Sequence, residues 1–245
     1  MDPREVLSRP APAPDATVAY GPGPEQVADV RLPSTVAGPL VLFLHGGFWR
    51  TAWDRTHTGA LAADLATRGY PVACPEYRRT GQPGGGWPGT FDDVLAAVTA
   101  LPGLLGIPGP PILAGHSAGG HLALWAATRV PSAGVLALAP VTDLTEAYRL
   151  DLDRGAVAAL LGGPPSAVPE ADPARSDPPA VPVRIVHGSA DAQVPVAMSR
   201  AYAARPGGDV RLIELPGAEH FGLIDPFSAA WPTVVAALRT LGARA

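Results

Sequence analysis

Lysine is absent from this chain, and all 18 of its basic side chains are arginine. They are scattered beside abundant Ala, Gly and Pro, which reads as a GC-rich coding bias rather than a function. Against 22 acidic residues they leave a formal net charge of −4, so there is no basic field to hold nucleic acid. Cysteine occurs once, at Cys74. That excludes an intrachain disulfide and a Cys-based metal site, and the apolar strand setting marks Cys74 as a small core residue. No apolar run approaches the length of a membrane span, and the acidic start Met1-Asp2-Pro3-Arg4-Glu5 lacks the apolar stretch of a secretory signal. The expectation is a soluble cytoplasmic protein with no membrane or nucleic-acid partner.

What is present suits one core. With 245 residues, 47% of them hydrophobic, the chain can bury a sizeable interior as a single domain. Residues 1–16, rich in Pro and Ala, read as a loose arm. Strand signals over 17–20 and 27–32 flank a Gly-Pro turn, and the continuous apolar run over 40–44 is of the kind buried on both faces of a parallel sheet. From there, strands over 72–75, 112–115, 135–139, 183–187 and 210–215 alternate with helical patterns over 59–68, 91–101, the residues after 117, 196–204 and 229–241. This is the α/β pattern of βαβ units, with a mostly parallel sheet and helices on both faces. Two stretches interrupt it: a Gly-rich loop over 80–89, expected to be flexible, and a Pro-rich region over 141–180 with a helical patch at 156–161. Both leave the carboxyl ends of strands, where open α/β sheets bind ligands. They read as walls of an active site, with plain solvated loops as the alternative.

The chain is organised around Gly115-His116-Ser117-Ala118-Gly119, a GxSxG motif between the strand over 112–115 and a helix. Such a turn is tight enough to need glycine on either side, and it pushes the Ser117 hydroxyl out at the sheet edge while the N–H of Ala118 points at a developing oxyanion. In a chain with 28 glycines the motif means little without partners. A serine needs a base, usually a histidine held by a carboxylate, and these should follow it in the order acid, then histidine. Beyond the helix that follows the motif, only His187 and His220 lie downstream. His187 closes a strand and reads as a satisfied strand-end histidine. Asp191, in the loop beyond that strand, and His220, between the last strand and the last helix, are therefore the expected acid and base. Asp143 and Glu219 are rival acids, the latter too close in sequence to reach the far ring nitrogen. The second signal is His45-Gly46-Gly47-Phe48-Trp49, directly after the buried run over 40–44. Its glycines let backbone N–H groups approach the same oxyanion, with His45 bracing the loop.

These residues together resemble the α/β-hydrolases, over nearly all of the chain from about Val18 onward. The HGGFW loop and the GHSAGGHLA elbow are similar to the kynurenine formamidase (arylformamidase) branch, near the esterases related to hormone-sensitive lipase, and the HGGxW form leans toward formamidases. By analogy with the HGGG loops of esterases, Gly47 and Phe48 would supply oxyanion donors alongside Ala118. The resemblance implies an α/β-hydrolase fold with an eight-stranded sheet in one domain over 17–245, and a short cap over 141–180. It also implies that no metal or organic cofactor is used and that a small acyl ester or amide is hydrolysed. N-formylkynurenine or another aryl formamide is the sharper expectation, and a carboxylesterase for short-chain esters is the alternative. A catalytically silent ligand-binding member of the fold is a reading of another class. The substrate crevice is expected to be walled by Phe48, Trp49, Trp87 and Phe221, since each lies in or beside a loop at a strand's carboxyl end. Trp49 could instead pack beneath the oxyanion loop.

Overall fold

The structure is a computed structural model that describes residues 3–242. Eight strands form one sheet: β1 (Ala16–Ala19), β2 (Val27–Arg31), β3 (Val41–Leu44), β4 (Val72–Pro75), β5 (Ile112–His116), β6 (Gly134–Leu138), β7 (Val183–Gly188) and β8 (Val210–Leu215). Their spatial order is β1-β2-β4-β3-β5-β6-β7-β8. The first two joints, β1 to β2 and β2 to β4, are antiparallel; every later pairing is parallel. The expected α/β-hydrolase sheet is therefore what the chain forms.

The helices are α1 (Gly59–Thr67), α2 (Gly89–Leu104), α3 (Ala118–Ala127), α4 (Leu144–Arg149), α5 (Ala156–Leu161), α6 (Val196–Ala203) and α7 (Trp231–Gly242). Alternate strand residues point to opposite faces, and the core divides accordingly. Leu42, Leu44, Leu113 and Ile185 meet α2 and α3 through Phe91, Val94, Leu122 and Trp125 on one face. Val41, Phe43, Ile112 and Val186 meet α1 and α7 through Leu61, Leu65, Trp231 and Leu238 on the other. Burial on both faces is why the central strands are continuous apolar runs rather than alternating ones. Cys74 is a buried core residue.

Two expectations about irregular chain need correction. The N-terminal arm is not loose where it is described; residues 1 and 2 lie outside the described residues. Pro3–Ser8 forms a 3-10 turn that buries Val6 at 1% exposure. Arg31 of β2 donates to the carbonyls of Pro12 and Ala13 at 2.6 and 2.8 Å, and Arg9 pairs with Asp225. A Pro- and Ala-rich segment carries no periodic signal of its own, so only these partners, distant in sequence, order it. The Gly-rich stretch 80–89 packs against α5 rather than walling a cleft, with the Trp87 N–H donating to the Leu160 carbonyl at 2.7 Å.

The region 141–180 holds α4, α5 and three 3-10 turns, Pro165–Ala167, Pro169–Ala171 and Pro173–Arg175. It is welded onto α3: His121, Trp125 and Arg129 hydrogen-bond the carbonyls of Ala171 and Glu170 at 2.7–2.9 Å. Buried Asp172 accepts from the N–H groups of Leu144, Thr145 and Ala174, capping two of its turns.

Candidate active site

Ser117 sits where β5 passes directly into α3, with φ +56°, a left-handed conformation that non-glycine residues avoid. The close packing around it explains the flanking glycines. A Cβ on Gly119 would lie 2.0 Å from the carbonyl oxygen of Leu44, and one on Gly115 would lie 2.2 Å from that of Gly119. The elbow is thus clamped against the end of β3, and Ser117, although 2% exposed, lines a cleft of about 330 Å³. Gly46, Gly47, Phe48, His116 and His220 line the same cleft.

Asp191 lies beyond β7, and His220 ends the segment after β8. Their rings and oxygens meet across the neighbouring strand ends, with His220 Nδ1 2.6 Å from Asp191 Oδ2. The other carboxylate oxygen accepts the N–H groups of Gln193 and Val194, both at 2.8 Å. Burial opposes the charge on Asp191, yet hydrogen bonds from His187, His220 and Val194 outweigh it and hold the carboxyl below the usual carboxylate range. An ionised carboxylate only accepts, so Nδ1 of His220 carries a proton, and in the neutral ring Nε2 holds the lone pair.

His187 is satisfied, as expected, and also takes part in holding the acid. Its Nε2 lies 3.0 Å from the Val194 carbonyl and 3.2 Å from Asp191 Oδ2, while Nδ1 lies 2.7 Å from Ser199 Oγ. The rival acids are engaged elsewhere. Asp143 caps α4 by accepting the Glu146 N–H at 2.8 Å, and Glu219 is exposed.

The HGGFW loop turns through three successive left-handed residues, Gly47, Phe48 and Trp49. Among the described residues, the N–H groups of Gly47 and Phe48 donate to no protein acceptor; the N–H of Ala118, first in α3, has no intrahelical partner. These are free donors beside Ser117, of the kind that binds an oxyanion. The loop is fixed from beneath by His45. Its Nε2 is 2.8 Å from buried Glu76, its ring stacks on Tyr77 at 4.3 Å, and its carbonyl accepts the Tyr77 hydroxyl at 2.8 Å.

The aromatic walls differ from expectation. Phe48 and Phe221 line the cleft. Trp49 does not: it is 1% exposed and packs edge-on to His121 at 5.1 Å, in the core beneath the loop. Trp87 does not either; it meets Phe91 at 4.8 Å and Trp125 at 6.3 Å on the α2–α3 side. Trp53, His57, Leu7 and Arg154 are lining residues that sequence reasoning missed. Trp53 had a local signal, following the HGGFW loop by four residues. His116, beside Ser117, carried no signal of its own in the sequence. Its ring lies 4.3 Å from that of His220 and its Nε2 3.1 Å from the His220 carbonyl, and burial keeps it neutral, so Nε2 can donate and pin the His220 backbone. Among the described residues, no three His, Cys, Asp or Glu side chains gather as metal ligands, and no helix is long and apolar enough to cross a membrane.

The profile of the BD-FAE family matches residues 28–205, from β2 past α6. The chain belongs to the BD-FAE family. The matched stretch contains Ser117 and Asp191 and stops before His220. This BD-FAE member is 27% identical over 243 residues to esterase LipC of Mycobacterium tuberculosis, covering 85% of this chain and 60% of that protein. It is 32% identical over 108 residues to kynurenine formamidase of Salmo salar, covering 43% and 36%. The chain therefore spans less than two thirds of the length of either curated relative. Among solved structures, a phosphonate-inhibited esterase B of Lactobacillus rhamnosis superposes with a TM-score of 0.81 at 21% identity, over 98% of this chain and 89% of that one. A putative thioesterase of a Silicibacter species gives 0.73 at 24%, over 96% and 88%. At such identities the agreement is one of fold.

Proposed function

We propose that this chain is a serine hydrolase of small acyl esters and amides. The observation that carries this reading is the 2.6 Å contact of His220 with an ionised Asp191 in the tautomer that leaves Nε2 bare, in a cleft shared with Ser117 on its strained elbow. Ser117 Oγ attacks the substrate carbonyl carbon as its proton passes to Nε2 of His220, and Asp191 stabilises the imidazolium. The carbonyl oxygen takes the negative charge and accepts from the N–H groups of Gly47, Phe48 and Ala118. Collapse breaks the bond to the leaving oxygen or nitrogen, which takes the proton from His220. Water then attacks the acyl-Ser117 ester by the same route and releases the acid.

A cleft of about 330 Å³ is at the small end for ligand sites, which favours small substrates. The finer reading is an aryl formamide such as N-formylkynurenine. It is supported by the partial relation to a kynurenine formamidase and by the aromatic lining of Phe48, Trp53 and Phe221. The relation to esterase LipC, and the absence of Trp87 from the lining, favour the second reading, a carboxylesterase for short-chain esters. Labelling with a fluorophosphonate tests the hydrolase reading, since a silent ligand-binding member would not react. Rates on N-formylkynurenine, 4-nitrophenyl acetate and longer 4-nitrophenyl esters then separate formamidase from esterase.

A further inference from the structure

Arg154 brings a positive charge to the rim of the cleft on a chain that is acidic overall. Arg4 and Arg154 both line it, and the one carboxylate in the lining, Asp153, is ion-paired with Arg50 at 2.6 Å. His57, also in the lining, is kept neutral by burial, which pushes its pKa down to about 4. Arg154 is exposed and, among the described residues, its guanidinium makes no hydrogen bond or ion pair. Arg55, Arg68, Arg78, Arg79 and Arg200, by contrast, each meet a carboxylate.

Its position is held firmly. Asp151, Asp153 and Arg154 all adopt left-handed backbone at φ +47° to +52°, a conformation that persists only where surroundings impose it. Arg50 does so, donating to the Asp153 carboxylate and to the carbonyls of Asp153 and Arg154 at 2.6, 2.8 and 2.9 Å. Arg50 lies two residues beyond Phe48, so the same loop that presents oxyanion donors also fixes the backbone of Arg154. Arg154 borders a second cavity of about 370 Å³ as well, which continues from the cleft past Phe48 and Trp53. A substituent reaching out of the reacting cleft on that side meets the guanidinium.

We propose that Arg154 is a specificity-determining residue that selects substrates bearing a carboxylate away from the scissile bond. This rests on the hydrolase reading above and deepens it. A guanidinium fork matches the planar carboxylate through two N–H donors. A phosphate dianion is the poorer match for a single unpaired guanidinium beside Asp153.

The test uses near-isosteric pairs: 4-nitrophenyl hydrogen succinate against 4-nitrophenyl 4-methylpentanoate for a carboxylate on the acyl side, and 3-acetoxybenzoate against 3-isopropylphenyl acetate for one on the leaving group. The readout is the ratio of kcat/KM, anionic over neutral, in the wild type, Arg154→Gln and Arg154→Glu, with thermal melts to confirm folding. We expect the ratio of at least one pair to fall about tenfold in R154Q, equivalent to about 1.4 kcal/mol, and further in R154E. Added salt should compress the wild-type ratio, and the pair that responds tells which side carries the carboxylate. Unchanged ratios in both pairs, or equal ratios for R154Q and R154E, overturn the proposal while leaving the hydrolase reading intact. If neither neutral ester is turned over and Ser117 fails to label with the fluorophosphonate, the hydrolase reading falls and takes this proposal with it.

Discussion

Replacing Asp191 with asparagine is expected to cost activity through the tautomer of His220. Asp191 Oδ1 accepts two backbone N–H groups at 2.8 Å, so in Asp191→Asn the amide oxygen must stay there and the NH2 must take the place of Oδ2, 2.6 Å from Nδ1. That NH2 can only donate, which forces the His220 proton onto Nε2 and removes the lone pair that receives the Ser117 proton. In triads of this kind the acid-to-amide change lowers kcat roughly 10³- to 10⁴-fold, or about 4–5.5 kcal/mol of transition-state stabilisation. KM should move little, because Asp191 does not line the cleft. The same NH2 also faces His187 Nε2, 3.2 Å from Oδ2, and pushes that ring out of the tautomer that donates to Val194. A loss of about 1–3 kcal/mol of stability from the disturbed buried hydrogen bonds should follow. Steady-state rates on 4-nitrophenyl acetate, with urea unfolding as the companion measurement, read both effects. A variant that keeps more than a tenth of wild-type kcat refutes the reasoning. So does an Asp143→Ala variant that loses more activity than D191N, since loss of the cap at Asp143 should cost about 1 kcal/mol of stability and leave the chemistry alone.

Ser117→Ala should reduce turnover to background and abolish fluorophosphonate labelling while the far-UV circular dichroism is unchanged; residual turnover above a trace assigns the nucleophile elsewhere. Trp87→Ala should lower stability by roughly 2–3 kcal/mol, through lost contact with Phe91 and Trp125, and leave the aryl-over-alkyl preference in KM unaltered. A selective rise in KM for aryl substrates would return Trp87 to the cleft. Acid should unfold the protein early. His57 and His121 are pushed by burial to pKa values of about 4, and His116 well below the usual value. The unfolded chain therefore binds more protons, and stability falls as pH drops from about 6.5 to about 4, by up to about 1.4 kcal/mol per pH unit for each histidine. His121→Phe should flatten the urea midpoint against pH over that window; an unaltered slope would mean the ring is not held neutral by burial.

Residues close in sequence made most of the fold and the core of the candidate site legible. The run over 40–44 is apolar because β3 is buried on both faces, and GxSxG is spaced by the steric demands of a strand-to-helix elbow, whose carbonyls come within about 2 Å of any added Cβ. Even Asp191 and His220, 29 residues apart, could be paired, because each follows its own parallel strand and parallel strands bring their carboxyl ends to one edge. What only the tertiary structure decided is where side chains outside that pattern point. Trp49 and Trp87 lie in loops at the correct edge, yet Trp49 is buried against His121 and Trp87 packs on Phe91 and Trp125. Leu7 and Arg154, from a Pro-rich arm and the irregular turn between α4 and α5, reach the cleft because Val6 is buried and Arg50 holds the 153–154 backbone. Periodicity reports which face of a regular element is buried. It carries no signal for a segment ordered by single long-range contacts, and those contacts complete this cleft.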